Sequence, residues 1–199
     1  SPLIKNPAYA SGKGPLIYID EGHNNFHTLG NRYMPFARLV ERDGYVTEGY
    51  AGQFEPERLK KCRILVISNA LHETNATRWH KPVYSAFTPG ETETVRRWVE
   101  EGGSLFLIAD HMPMGGAAAE MAAAFGFGFT DGFALDTAQA GPALFCRADG
   151  TLAENILVNG RSADERVDSI FSFTGQAFTV PDDARTVLTF NEKYLLLLS

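Results

Sequence analysis

Cysteine is scarce in this chain of 199 residues: Cys62 and Cys146 stand alone, far apart, and form no Cys-x-x-Cys pair. That argues against a disulfide framework and leaves at most one bridge. Long apolar runs are missing too. None approaches the roughly 20 residues that a membrane span needs, so no membrane span is expected. Basic clusters are equally absent. No run of Lys and Arg exceeds two neighbours (Lys60-Lys61, Arg96-Arg97), and the net charge is −6. Neither nucleic acid nor an anionic membrane is therefore an expected partner. There is no Gly-x-x-x-x-Gly-Lys and no Gly-x-Gly-x-x-Gly after the first apolar run, which disfavours nucleoside triphosphates and dinucleotides. A Gly-x-Ser-x-Gly elbow is lacking, so nucleophilic serine chemistry is the weaker reading, even with Ser68 closing a strand.

What is present reads as one α/β domain over residues 1–199, with a βα core at 15–126 and a β-rich part at 127–199. Apolar residues make up 44% and charged residues 21%, ordinary values for a globular chain. Residues 15–20 and 63–68 form short apolar strands; the second is nearly continuous, as in a parallel sheet covered on both faces. A helix is expected from Asn31 to Arg42, a strand from Tyr45 to Tyr50 and a helix or turn from Phe54 to Lys61. Thr88-Pro89-Gly90-Glu91 opens another helix, with a hydroxyl cap, Pro first and Glu three residues later. Glu101-Gly102-Gly103 closes it. Ser104 to Ala109 is the next strand, and Gly115 to Gly126 a helix rich in alanine. The segment from Asn69 to Thr88 reads as a long irregular loop. Later strands are expected at 128–134, 143–146, 167–173, 186–190 and 194–198. The lead Ser1–Gly14 leaves two compartments open: cytoplasmic, or periplasmic or secreted if Ser1 is a processed terminus. The end at Leu195–Ser199 reads as a strand with nothing after it, which is compatible with a natural or experimental truncation.

Strand–helix alternation implies a doubly wound, mostly parallel sheet with right-handed crossovers. Ligands then bind beyond the carboxyl ends of the strands. Three of those ends carry groups of catalytic type: Asp20, Glu21, His23 and His27 after the first strand, His72 and Glu73 after the third, Asp110 and His111 after the fourth. A flavodoxin-like order makes the three strands neighbours at the centre of the sheet. Singly, each histidine is as compatible with capping a helix as with chemistry; together they suggest one site. His and carboxylate ligands without thiolates suit a divalent metal, zinc first. The expected ligands are His23, His27 and His111, with Asp20 or Asp110 as the fourth or as an orienting group. Glu21 or Asp110 would act as base, and His72 would bind substrate or stabilise an oxyanion. Phe26, Tyr33, Trp79 and Met112 would supply apolar walls. Gly115-Gly116 opens a helix whose N-terminus would face the same place.

Ile19-Asp20-Glu21-Gly22-His23-Asn24-Asn25, Leu65-Val66-Ile67-Ser68-Asn69 and Glu93-Thr94-Val95-Arg96-Arg97-Trp98-Val99-Glu100-Glu101-Gly102-Gly103-Ser104 through His111 resemble the class I glutamine amidotransferase-like superfamily. The closer likeness is to its GldG-like and ThuA-like branches, and it covers residues 15–126. The resemblance implies a flavodoxin-like sheet. It does not bring the amidotransferase reaction with it: the family's elbow cysteine is replaced by Asp110-His111, and no histidine follows residue 111. The expectation is a metal-dependent hydrolase acting on a small ester, amide, lactone or sugar derivative. Two rivals stand beside it, a non-catalytic module that holds a ligand or protein and a metal-free His/Asp isomerase or lyase. A homo-oligomer is compatible with all three.

Overall fold

The computed structural model describes residues 4–137 and 142–198. Ser1 and Ser199, on which the readings of processing and truncation rest, lie outside the described residues. Strands and helices alternate through β1 (Leu16–Asp20), α1 (Met34–Arg42), β2 (Val46–Tyr50), α2 (Pro56–Leu59), β3 (Ile64–Ser68), α3 (Glu73–Thr77), α4 (Pro89–Glu100), β4 (Ser104–Ile108) and α5 (Met114–Ala123). The four strands form one parallel sheet in the order β2-β1-β3-β4. The order reverses between β1 and β3, because the chain leaves β1 for one side of the sheet and returns to the other.

Period-two alternation decides what each face buries. Ile17 and Ile19 of β1 and Val66 of β3 meet Ala37 of α1, with Phe36, Val40 and Ile64 packed alongside. Tyr18, Leu65 and Ile67 point the other way, onto Val95 and Trp98 of α4, Met121 of α5 and Leu59 of α2. The result is three layers, with α1 on one face and α2, α4 and α5 on the other. Phe106 shares its face with Val66, its register partner. It stays 50% exposed, because α1 covers β1 and β3 and not the edge strand. That is one correction to the expectation: β4 borders this sheet and does not lie at its centre.

The cap expected before α4 forms in full. Thr88 Oγ1 accepts the Glu91 N–H at 3.2 Å, and Glu91 Oε2 accepts the Thr88 N–H at 3.0 Å. Other boundaries differ. The chain at Asn31–Tyr33 is a turn, so α1 begins at Met34, with Pro in its first turn. The long loop contains α3, started by a histidine cap that the hydrophobic period cannot reveal. The strand expected at 128–134 is broken at Asp131, where φ is +49°, into β5 (Gly128–Phe129) and β6 (Gly132–Asp136). Then come β7 (Ala143–Cys146), α6 (Ile156–Asn159), β8 (Ser169–Ser172), β9 (Phe178–Thr179) and β10 (Tyr194–Leu198). These pair as antiparallel ribbons β6–β10, β5–β9 and β7–β8. Phe145, Leu152 and Val158 give this part its own small core. The segment 186–190 forms no strand and contributes one bridge, Leu188 to Leu152.

The turn from α4 into β4 depends on a side chain being absent. A Cβ on Gly103 would lie 2.3 Å from the Trp98 ring, and Trp98 is buried against the sheet. Gly103→Ala is therefore expected to lower stability by about 1–3 kcal/mol through overpacking, read from the urea midpoint. An unchanged midpoint would show that the Trp98 ring shifts freely.

Candidate functional site

The loops after β1 and β3 are joined along their length. His23 O accepts the Leu71 N–H at 2.8 Å, Leu71 O accepts an Asn24 amide N–H at 3.2 Å, and Asn69 O accepts the Phe26 N–H at 3.0 Å. They form a ridge over the carboxyl ends of the strands, with different groups on its two sides.

On the α4 side lies a closed ionic cluster. Asp20 follows Ile19 and so points to the same face as Tyr18, where α4 packs. Its carboxylate, fully buried, receives His23 Nδ1 at 2.9 and 3.0 Å, the Gly22 N–H at 3.1 Å and the Asn25 amide at 2.8 Å. The other ring nitrogen, Nε2, meets Glu91 Oε1 at 2.8 Å. Glu91 also accepts the Phe54 N–H at 3.1 Å and the Thr88 hydroxyl at 2.8 Å. The imidazole is sandwiched by Phe54 and Phe87, with ring centroids 4.6 and 4.9 Å away. Burial works against a charge on His23, but the hydrogen bonds and charges of Asp20 and Glu91 outweigh it and raise the pKa above the ordinary 6.5. Burial likewise opposes the charge on Glu91, and His23, Thr88 and the Phe54 N–H together hold its pKa below 4.5. Each ring nitrogen faces a carboxylate that already accepts other N–H or O–H groups, so both nitrogens are placed to donate, the geometry of an imidazolium between two carboxylates.

On the α1 side the groups are neutral or singly charged. Ser68 shares a face with Val66, pointing to α1. Its hydroxyl lies 3.0 Å from His27 Nδ1 and bonds the Tyr33 phenol. Asn69, buried with φ +49°, donates to Asp110 Oδ2 at 2.7 Å and accepts the Asp110 N–H at 3.0 Å. Its amide also lies 3.4 Å from His27 Nδ1. The amide nitrogen is a donor, so Nδ1 is the acceptor, and the proton of a neutral His27 sits on Nε2. Burial and Arg32 together outweigh Asp110 and lower the His27 pKa below 6.5. A row of rings runs outward from here. Tyr33 stacks on His27 at 5.1 Å; Phe26 meets His27 edge-on at 5.3 Å and Trp79 at 6.1 Å. Trp79 meets His111 at 6.0 Å, and His111 stacks on Phe133 of β6 at 4.7 Å.

The expected residues are thus divided. Asp20 and His23 come together, with Glu91 as an unforeseen third member. His27 and Asp110 come together around Asn69, and His111 joins only the ring row, its Nδ1 held by Met112 O at 2.6 Å. His72 caps α3, its Nδ1 accepting the Thr74 N–H at 3.1 Å. Glu21 accepts the Leu29 N–H at 2.7 Å and braces its loop. The expected metal set of Asp20, His23, His27 and His111 does not fit a metal. Both nitrogens of His23 are already bonded to carboxylates, and alternation places Asp20 and Ser68 on opposite faces. Among the described residues no three of His, Cys, Asp and Glu are arranged to hold a metal ion. Glu91 was recognised from the sequence as part of a helix cap; that a cap acid can also bridge to a strand exit was missed. Asn69 stands in the sequence only as the end of Leu65-Val66-Ile67-Ser68-Asn69, with no role attached.

The clamp sets an expectation for stability against pH. Because the pKa of His23 is raised by folding, its contribution is complete below the unfolded value near 6.5 and is lost as pH rises through the folded value. His23→Gln leaves two buried carboxylates without their cation and should cost about 3–5 kcal/mol at neutral pH. The variant should also lose the fall in stability above pH 6.5. Urea unfolding of both proteins between pH 6 and 9 measures this; a cost under about 1 kcal/mol would rank the clamp with surface pairs.

No family model matches the chain, and no curated protein matches it. Among solved structures the fold is similar to "mmIFT52 N-terminal domain", with a TM-score of 0.67 and 11% identity over 92% of this chain and 76% of that one. The likeness is one of α/β fold, around the central parallel sheet.

Proposed function

We propose that the protein is a metal-free binder of a small polar ligand with a flat apolar face, a sugar or sugar derivative being the class that fits best. The observation that carries this is the row of rings from Tyr33 to Phe133. One end is tied through His27 to Ser68, and the other passes through His111, next to Asp110, to Phe133. Phe26 and Trp79 in the middle are 36% and 42% exposed. Aromatic faces beside a few fixed polar groups are the usual make-up of a small-ligand site. Asp110, oriented by Asn69, would accept ligand hydroxyl protons, and His27 Nε2–H would donate. The strand order β2-β1-β3-β4 supports a flavodoxin-like reading of the sheet, in which the β1/β3 reversal is where ligands enter. The family resemblance seen in the sequence fits the same reading.

The donor set does not support metal-dependent hydrolysis, since both nitrogens of His23 are bonded to carboxylates. The metal-free isomerase or lyase keeps one observation, the depressed pKa of His27, which keeps its ring neutral at pH 7. Against it, His27 Nδ1 already accepts a hydrogen bond from the Ser68 hydroxyl, and Ser68 is fully buried.

Saccharides titrated against tryptophan fluorescence test the binding. A saturating change is expected, weakened about tenfold or more by Trp79→Ala in calorimetry, roughly the worth of one aromatic stacking contact. Asp110→Asn should weaken it comparably. Absence of heat and of a fluorescence change across the saccharide panel would overturn the proposal. Turnover of a bound sugar that resists chelator and disappears in His27→Gln would favour the isomerase or lyase.

A further inference from the structure

The far side of the ridge holds a cleft of about 400 Å³, separate from the ring row. Its walls come from four elements: Gly22 and Asn24 after β1, Gly52 and Gln53 after β2, Leu71, His72 and Glu73 at the start of α3, and Ser85 to Thr88 before α4. The floor is shaped by a backbone approach. A Cβ on Gly22 would lie 2.4 Å from Gly52 O, so the two exit loops meet there only because residue 22 has no side chain.

Many of the polar groups facing this cleft are already occupied. His23 and Glu91 bond each other, Thr88 bonds Glu91, and Ser85 bonds Phe87 O at 2.9 Å. What remains free includes one full carboxylate. The Glu73 carboxylate and the Gln53 amide form no side-chain bond among the described residues, and Asn24 gives one amide N–H to Leu71 O, which leaves its Oδ1 and second N–H. His72 uses Nδ1 as an acceptor for the helix cap, which leaves its Nε2–H as a donor. The charges at and beneath the cleft are three carboxylates, Asp20, Glu73 and Glu91, against one imidazolium, His23. The positive end of α4 offsets part of this, but Glu91 already sits upon that end. Leu71 and Phe87 give an apolar wall.

We propose that this cleft is a second binding site, for a small molecule bearing a primary ammonium on a short apolar stem. An ammonium has three donors and no acceptor, which matches the free carboxylate and the two free amide oxygens. An anion would meet net negative charge and the unpaired carboxylate of Glu73. A second hollow, about 290 Å³ between α2 and α4, is lined by the cations Lys60 and Arg97 as well as by acids: Glu93 is paired with Arg96 and Arg97, and Glu101 lies in the field of Lys60. The cleft site does not depend on the sugar reading of the ring row.

The test is a titration of the isotope-labelled protein with n-butylammonium chloride, followed by amide resonances. Saturable shifts are expected at Asn24, Gln53, Leu71 and Glu73. Glu73→Gln should weaken binding about fivefold or more, the upper range for a solvent-exposed ion pair, and Trp79→Ala should leave it unchanged. Shifts of equal affinity with n-butanol would overturn the proposal, as would binding of acetate at the same amides or a Glu73→Gln variant that binds as well as the original. Because Trp79 lies across the ridge, failure here and failure of saccharide binding are separate results.

Discussion

His23 between Asp20 and Glu91 is the interaction on which the exit edge of this sheet depends. One ring ties the end of β1 to the first turn of α4, and Glu91 extends the tie to the Phe54 N–H after β2. Two buried carboxylates without a cation would be unstable, as would a buried imidazolium without them. Each is tolerable because the other two are present and the remaining lone pairs are filled by Gly22, Asn25 and Thr88. The same completeness removes the cluster from metal chemistry. A ligand histidine needs an unprotonated nitrogen, and His23 has none to offer.

Alternation along β1 and β3 then decides the rest. Asp20 belongs to the face of Tyr18 and Ser68 to the face of Val66, so polar groups that are close in sequence are sent to opposite sides of one sheet. The charged set lies under α4, where a helix start provides N–H donors. The neutral set lies by α1, where Tyr33 and the rings beyond it take over. Asn69 joins that second set to β4. Its left-handed backbone lets one side chain serve both the amide and the carboxylate of Asp110.

Much of this edge was readable in the residues themselves. Short apolar runs ending in Asp20, Ser68 and Asp110 located it, and Thr88 to Glu91 announced a capping box that the structure contains. Face assignment was also within reach, because counting by twos from Ile19 and Val66 separates Asp20 from Ser68. Closeness in sequence alone does not show that separation. Glu91 was out of reach for a different reason: its contact with His23 spans 68 residues and has no local signature. His72 illustrates the converse, a residue of catalytic type used as a helix cap. The C-terminal ribbons were marked only in part, since a break such as Asp131 depends on a backbone angle that Asp tolerates without requiring.

The ridge over the strand ends has a consequence for the way this chain can be altered. Leu71 and Asn69 are 3% and 0% exposed, and each supplies a backbone group to a partner in the loop after β1. A graft that replaced residues 22–27 alone would strand a buried N–H and buried carbonyls, at about 1–3 kcal/mol for each group left unmatched. The segment after β3 fails in the same way if moved by itself. For recombination between related folds, the smallest portable piece is therefore the two loops as a matched pair.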